Sequence, residues 1–400
     1  MWEQIRANQR KSAILVVVMA LLLFAVGYAV GEAAAPGVGL FGLLIAFAVW
    51  ILLSLISYYA GGSIMLAVSG ARKIEKADLP RLYNVVEEMK IASGLPKMPD
   101  IYIIDDPAPN AFATGRDPYH AAVAVTSGLL NICSRDELQG VIAHEMSHVR
   151  NRDVLFMIMV GVMMGTIVLI ADVFRRVLLY GGLGRQTRRS SRDSGQIQMV
   201  LILVAIVLGI LAPIIAQLIY FAVSRRREYL ADACGAQFTR YPEGLASALE
   251  KIAASTATLQ HANRATAPMY IINPLKQEGM AASDLTSTHP PVKQRIKILR
   301  SMAGGASYLD YEKAFRQVTG KRSVIPASAA NETQPVPARQ ASKAQEDHTQ
   351  RVRETTDALW KLGNYGFIAC PCGVKLKIPP AFKLPVIQCP RCQRMHAVKE

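Results

Sequence analysis

The sequence predicts a mainly α membrane protein, with a small β-sheet between its hydrophobic segments and a compact cysteine-bearing module at its C-terminus. Three observations predict this. Uncharged runs occupy Ala13–Gly31, Ala33–Ala71, Val154–Ala171 and Gln196–Ser224, each near or beyond the roughly 20 residues that cross a bilayer as a helix. Between the second and third runs lie short stretches of strand character, Ile101–Ile104, Asn110–Gly115 and Ala121–Thr126. Four of the 6 cysteines cluster as Cys370, Cys372, Cys389 and Cys392. An apolar fraction of 51% against 19% charged residues excludes an ordinary soluble enzyme.

Span one is expected over Ala13–Val30, behind the basic residues Arg6, Arg10 and Lys11. Ala33-Ala34-Ala35 imitates a signal-peptide cleavage site, but the apolar core is long and Pro36 follows, so the segment reads as a retained anchor. A Gly/Pro turn over Gly31–Gly39 leads to span two, Leu40–Tyr59, and the uncharged stretch to Ala71 reads as a buried or amphipathic extension. Arg72, Lys73, Lys76 and Arg81 follow, so the positive-inside tendency puts the N-terminus and residues 72–153 in the cytoplasm. That distribution makes the net charge of +15 a matter of lipid and topology, and no nucleic-acid partner is expected. Residues 78–93 have helical spacing in Leu79, Leu82, Val85, Val86 and Met89. Gly94–Asp100 breaks that helix, and the strands follow.

The third run holds Gly161 and Gly165 at helix-contact spacing. The fourth, Ile197–Val223, is interrupted by Pro213. Two crossings would put the Arg-rich loop 174–196 outside, against the charge tendency, whereas a re-entrant hairpin would keep it inside; two crossings are the expectation.

His144-Glu145-Met146-Ser147-His148 carries the chemistry. Histidines at i and i+4 share one helix face, so both imidazoles can converge on one Zn²⁺, with Glu145 placed to take a proton from the attacking water. Ser134-Arg135-Asp136-Glu137 has capping-box form and starts that helix. The bland alternative is two hydrogen-bonded histidines and a solvated glutamate. A catalytic zinc needs a third protein ligand, for which Glu228 is the choice. Asp232, one turn on, can orient a ligating histidine through its other N–H. On spacing alone, Glu228 could equally neutralise Arg225–Arg227 and Asp232 could be an ordinary helix charge.

Taken together, Asn110-Ala111-Phe112-Ala113-Thr114-Gly115, His144–His148, Glu228-x-x-x-Asp232 and His289-Pro290-Pro291 resemble the HtpX family of membrane zinc metalloproteases, relatives of the CAAX prenyl proteases. The likeness spans roughly residues 10–300. It implies a gluzincin-like domain over 61–318 that includes the hydrophobic hairpin 154–223, behind an anchor over 1–60. It implies zinc on His144, His148 and Glu228, catalysis by Glu145, and Asp232 behind a ligand. It further implies endopeptidase action on misfolded or damaged membrane proteins, in a bacterial inner membrane with the site facing the cytoplasm. The strand Asn110–Gly115 is expected to hold substrate as an added strand on a free sheet edge, unless the strands merely cover the zinc helix. Residues 237–300 read as helices, with Leu245, Leu249 and Ile252 in phase and a basic amphipathic stretch at Val292–Leu299. His289 is an oxyanion donor, a cap or packing residue, or a reserve ligand. Rival functions are a prenyl-protein-type processing protease and a non-catalytic zinc-binding adaptor.

Residues 319–350 read as a flexible linker. In 351–400, nine Lys/Arg against three Asp/Glu favour anionic lipid over nucleic acid. Cys370, Cys372, Cys389 and Cys392 suit a four-cysteine zinc ribbon with a second, structural zinc. The one-residue spacing of the first pair means a tight knuckle or replacement of one thiolate by His396; a redox dithiol is the competing reading.

Overall fold

The computed structural model describes residues 2–35, 37–180, 207, 210–212, 214–216, 225–260, 270–272, 289–321, 336–342 and 347–398. Most of the fourth hydrophobic run, and the arginine-rich loop beyond residue 180, lie outside the described residues, as does the question of how that hairpin crosses.

Helices α1 (Trp2–Ala34) and α2 (Gly39–Tyr59) form an antiparallel hairpin. Their backbones touch, because a Cβ on Gly42 would stand 2.3 Å from the Gly27 carbonyl oxygen. Glu32 closes the turn by accepting the N–H groups of Gly37 and Gly39, each at 2.9 Å, the second of which is the otherwise orphaned first donor of α2. Helix α7 (Asp153–Tyr180) packs Phe156, Val160, Met163 and Ile167 against Met19, Leu23, Val26 and Ala46. On the outer face of α2, Leu44, Leu52 and Leu55 are exposed. Among the described residues, Gly39–Tyr59 is the one helix both long and apolar enough to cross a bilayer. Helix α1 runs through the whole of the expected span Ala13–Val30, and Val16–Glu32 is its apolar part.

After the short helix α3 (Gly61–Val68) comes a four-stranded sheet of order β1-β2-β4-β3, built from β1 (Arg72–Ile74), β2 (Asp100–Ile104), β3 (Ala111–Gly115) and β4 (Ala121–Thr126). Only β2 and β4 pair in parallel. Strand β1 is an addition to the sequence expectation, in which Arg72 and Lys73 read as a membrane flank. Strand alternation sends Ile101, Ile103, Ala113, Val123 and Val125 to one core, with Leu82, Val85 and Val86 of α4 (Pro80–Ser93) and Val141 and Ile142 of α6 (Arg135–Arg150). Ile104, Phe112 and Ala124 turn the other way, onto Met65 and Tyr270. Covered on both faces, β4 is buried at every position, as a central strand must be to read as an uninterrupted apolar run.

Helix α5 (Ser127–Ile132) leads into α6, which opens with the expected capping box between Ser134 and Glu137. It meets α7 at a bend of 75°. A helix over 225–239, α8, is followed by α9 (Pro242–Ala254), α10 (Val292–Arg300) and α11 (Tyr308–Thr319). Gly140 lets α6 approach α9, since a Cβ there would lie 2.6 Å from the Leu245 nitrogen.

The linker expectation for 319–350 needs correction in part. Residues 336–342 are strapped to the domain by backbone bonds from Ala306 to Val336, Ala338 to Gly304 and Arg339 to Arg240. Arg339 adds an ion pair to Asp136 at 2.8 Å. Paired backbone and a partly buried ion contact override the disorder that the Pro/Ala/Ser composition suggests. Helix α12 (His348–Leu362) packs Ala358, Leu359 and Leu362 into the main core. Two hairpins follow, β5 (Gly366–Ala369) with β6 (Lys375–Ile378) and β7 (Val386–Gln388) with β8 (Met395–Ala397).

Candidate metal centre and active site

Helix α6 presents His144 and His148 side by side, and α8 brings Glu228 to them. His144 Nε2 lies 3.3 Å from His148 Nε2 and 3.6 Å from Glu228 Oε2, and His148 Nε2 lies 3.4 Å from Glu228 Oε1. Tetrahedral ligands about 2.0–2.1 Å from a zinc ion are separated by roughly 3.3–3.5 Å, so this donor set fits one ion. His289 is not part of that donor group among the described residues.

Each imidazole is held from behind. His144 Nδ1 faces Asp232 Oδ1 at 3.0 Å, and His148 Nδ1 faces Asp153 Oδ2 at 3.5 Å. An Nδ1–H donated to a carboxylate leaves the Nε2 lone pair for a cation. The carboxylates are themselves clamped. Arg295 binds Asp232 through Nε and Nη2 at 2.8 and 2.7 Å, and Arg227 Nη1 binds Asp153 at 2.7 Å.

Burial disfavours charge on His148, yet Asp153 and Glu228 outweigh it and raise its pKa to about 10. Burial likewise opposes the Glu228 anion, but His289, His144, His148 and Arg295 hold its carboxyl well below the ordinary range. The pocket is thus built to attract positive charge, which a divalent cation supplies on displacing protons.

Glu145 is 1% exposed and its Oε1 has no hydrogen-bond partner. Burial pushes its pKa up, against the nearby histidines and the Ala113 backbone N–H. His289 is buried, its ring reaches the Tyr270 backbone, and its Nε2 stands 3.9 Å from Glu228 Oε2. Burial lowers its pKa, and because the ring spends one N–H on the Tyr270 carbonyl, its Nε2 is an acceptor in the neutral form and a donor only when the ring is protonated.

Strand β3 is the sheet edge beside this centre. Alternate residues of an edge strand turn their backbone groups outward. Ala111 spends its carbonyl on the Ile271 N–H at 3.1 Å, and the Ala113 N–H faces Glu145. Among the described residues, the Ala113 carbonyl and Gly115 are the outward-facing backbone groups of β3 with no strand beside them. Asn110 fixes the approach, donating to the Ile272 carbonyl at 3.0 Å and accepting from Ala111. Phe112 packs away from the centre against Tyr270, and Thr114 shares that opposite face.

Asp153, Arg227 and Arg295 stand behind the candidate ligands, and the sequence alone does not single them out. In sequence Arg295 belongs to a basic amphipathic stretch, yet it is fully buried with Ile298 and Leu299. Their i, i+3, i+4 spacing is the signal that places all three on one face.

In the terminal module, Cys370 Sγ lies 3.4 Å from Cys392 Sγ and 3.3 Å from Cys372 Sγ, and Cys372 and Cys389 are 3.6 Å apart. Tetrahedral thiolates about 2.3 Å from zinc stand roughly 3.8 Å apart, so the four sulfurs suit one ion with modest expansion. His396 stands outside this group. Cys389 is pushed down to about 6, chiefly by the Cys392 backbone N–H.

The sequence profile of Peptidase family M48 matches residues 76–303. The protein named Protease HtpX homolog from Dictyoglomus thermophilum is 47% identical over 311 residues, covering 78% of this chain and 98% of its own. That of Lactobacillus helveticus is 42% identical over 303 residues, covering 76% and 100%. Among solved structures, S. mikatae Ste24p is similar over 74% of this chain and 66% of its own, with 19% identity and a TM-score of 0.41. The module at 351–400 lies beyond the family match.

Proposed function

The chain belongs to peptidase family M48 and is a zinc-dependent metalloendopeptidase; from that premise we propose that it cleaves unfolded or damaged membrane proteins at the cytoplasmic face of a bacterial inner membrane. The observation that carries this reading is the convergence of His144, His148 and Glu228 at one end of α6, where the chain bends into the apolar helix α7. A site at the mouth of a hydrophobic bundle suits substrates that emerge from lipid. The basic residues Arg72, Lys73 and Lys76 after α2 support the cytoplasmic side.

His144, His148 and Glu228 hold the catalytic zinc, which when bound supplies Lewis-acid polarisation of the scissile carbonyl and acidifies water. Glu145 takes the proton of the attacking water and returns it to the leaving amine; its burial-raised pKa suits both halves of that cycle. His289, once its ring takes a second proton at Nε2, donates a hydrogen bond to the oxygen that gains charge as the carbonyl is attacked. Ala113 and Gly115 pair with the substrate backbone, aligning the scissile bond with Glu145. Asp232 and Asp153 fix the two imidazoles. Cys370, Cys372, Cys389 and Cys392 hold a structural zinc, separate from the catalytic one, that lets the small terminal module fold.

The test is Glu145→Gln in the full-length chain, assayed on an unfolded membrane substrate. Zinc content near wild type with cleavage abolished is expected. Retained cleavage would remove Glu145 from the mechanism, and cleavage confined to prenylated peptides would replace quality control with processing.

A further inference from the structure

Where α2 ends, its last turn, α3 and the sheet enclose a groove of about 280 Å³ outside the metal centre. Its floor is one face of the sheet. Asp100, Ala122 and Thr114 are direct cross-strand neighbours and all line it. Its rim carries Lys97 and Arg116.

Two features point to a ligand. Thr114 is 1% exposed, and its hydroxyl has no hydrogen-bond partner; a buried orphan hydroxyl costs free energy unless something binds it. Lys97 makes no ion pair among the described residues, Arg116 meets Asp117 only at 3.6 Å, and the one carboxylate lining the groove, Asp100, is paired with Lys73 at 2.8 Å. The groove is therefore left with a cationic rim over a hydroxyl floor, which is phosphate chemistry.

Position decides the source of the phosphate. Tyr58 and Tyr59 close the membrane helix at the groove wall, and Tyr119 on the β3–β4 hairpin lines the same groove. Exposed tyrosines at a span end mark the headgroup level. Arg116 sits 5.9 Å over the Tyr58 ring, and exposed Leu52, Leu55 and Ile56 offer a path for acyl chains. The volume suits a headgroup, being just below the roughly 300–1,000 Å³ of drug-sized ligand pockets. The groove touches the edge of β3 only at its last residue, Gly115, and otherwise lies on the face of the sheet, which favours a headgroup over an added strand.

We propose that this groove binds the phosphate of an anionic phospholipid headgroup, held by Lys97 and Arg116 with the Thr114 hydroxyl as donor. Because Thr114 and Gly115 end strand β3, occupancy ties the edge that receives substrate to the bilayer surface. The inference rests on reading α2 as a membrane span, as the proposed function does, but its test reads bound lipid and not cleavage.

The experiment is native mass spectrometry of the delipidated full-length protein, titrated with phosphatidylglycerol, phosphatidylcholine or inorganic phosphate. Phosphatidylglycerol should be retained at least about ten-fold more tightly than phosphatidylcholine. Lys97→Gln with Arg116→Gln should lose that preference while zinc content holds, and both side chains are peripheral enough for the fold to survive. Equal retention of the two lipids, or an unchanged preference in the double variant, would overturn the site. Saturation by inorganic phosphate with no lipid preference would overturn the lipid assignment, as would displacement of lipid by an unfolded peptide.

Discussion

Arg295 grips Asp232 through two parallel hydrogen bonds, 2.8 Å from Nε to Oδ2 and 2.7 Å from Nη2 to Oδ1, and both side chains are fully buried. The same guanidinium reaches Glu228 with Nη1 at 3.3 Å and the Ile271 carbonyl at 3.0 Å. One cation thereby orders a metal-ligand carboxylate, the carboxylate behind His144, and the segment that abuts β3. Removing it strands buried negative charge, which costs about 3–5 kcal/mol. Arg295→Ala should lower the melting temperature sharply and weaken zinc by about 10–100-fold, read by chelator competition. Arg295→Lys restores charge without the planar fork and should recover stability better than zinc affinity. Wild-type zinc affinity in both variants would reduce Arg295 to a packing residue.

Asp153 plays the corresponding part for His148. Its Oδ2 is 3.5 Å from the ring nitrogen while Arg227 holds Oδ1. Asp153→Asn keeps an acceptor but loses the anion that favours the Nδ1–H form. Zinc affinity should fall about ten-fold or more, with a faster zinc off-rate, and the melting temperature should drop as well because buried Arg227 loses its counter-charge. An unchanged off-rate would mean that the longer 3.5 Å contact does not orient the ring.

What the sequence could reveal follows from where each partner sits along the chain. His144 and His148 are legible because one helical turn fixes their relation, and Ser134 with Glu137 because a capping box is equally local. Asp232 is legible one turn from Glu228, but that α8 meets α6 at all is a tertiary fact. Arg295 and Asp153 are hidden for different reasons. Arg295 resembles surface charge in a basic helix, and Asp153 resembles the polar boundary of an apolar run. Strand β1 is masked because Arg72 and Lys73 serve both a membrane flank and an exposed strand edge. The strap at Arg339 depends on Asp136, Gln139 and Tyr241, none of them near it in sequence.

Glu137 links the start of the metal helix to α9. It completes the cap on Ser134 and receives Ser247 Oγ at 2.5 Å and Lys251 Nζ at 2.7 Å. Burial raises its pKa, but Lys251, Ser247 and the Ser134 N–H outweigh that and leave it below the ordinary carboxylate value. A depressed folded pKa means its stabilisation is present above the unfolded value of about 4.3 and disappears as pH falls through the folded one. Glu137→Ala should cost about 1–2 kcal/mol at pH 7 through the lost cap. In metal-free protein, where zinc release does not intrude, the gap from wild type should narrow as pH is lowered past about 4. A gap independent of pH would show that charge on Glu137 contributes nothing.

The cysteine module gives the last prediction. Four sulfurs converge with contacts of 3.3, 3.4 and 3.6 Å, while Leu376 is one of few other side chains buried with them. Such a small core cannot hold two short hairpins without the ion. Cys372→Ser should take the full-length chain from two zinc ions to one, and residues 366–398 should become sensitive to protease. Helix α12 should stay protected, because Ala358 and Leu359 are packed in the main core and not in the module. Peptidase activity per remaining zinc should be near wild type. Two zinc ions in the variant would mean that His396 substitutes for the lost thiolate, and loss of the catalytic zinc as well would mean that the module supports the metal centre.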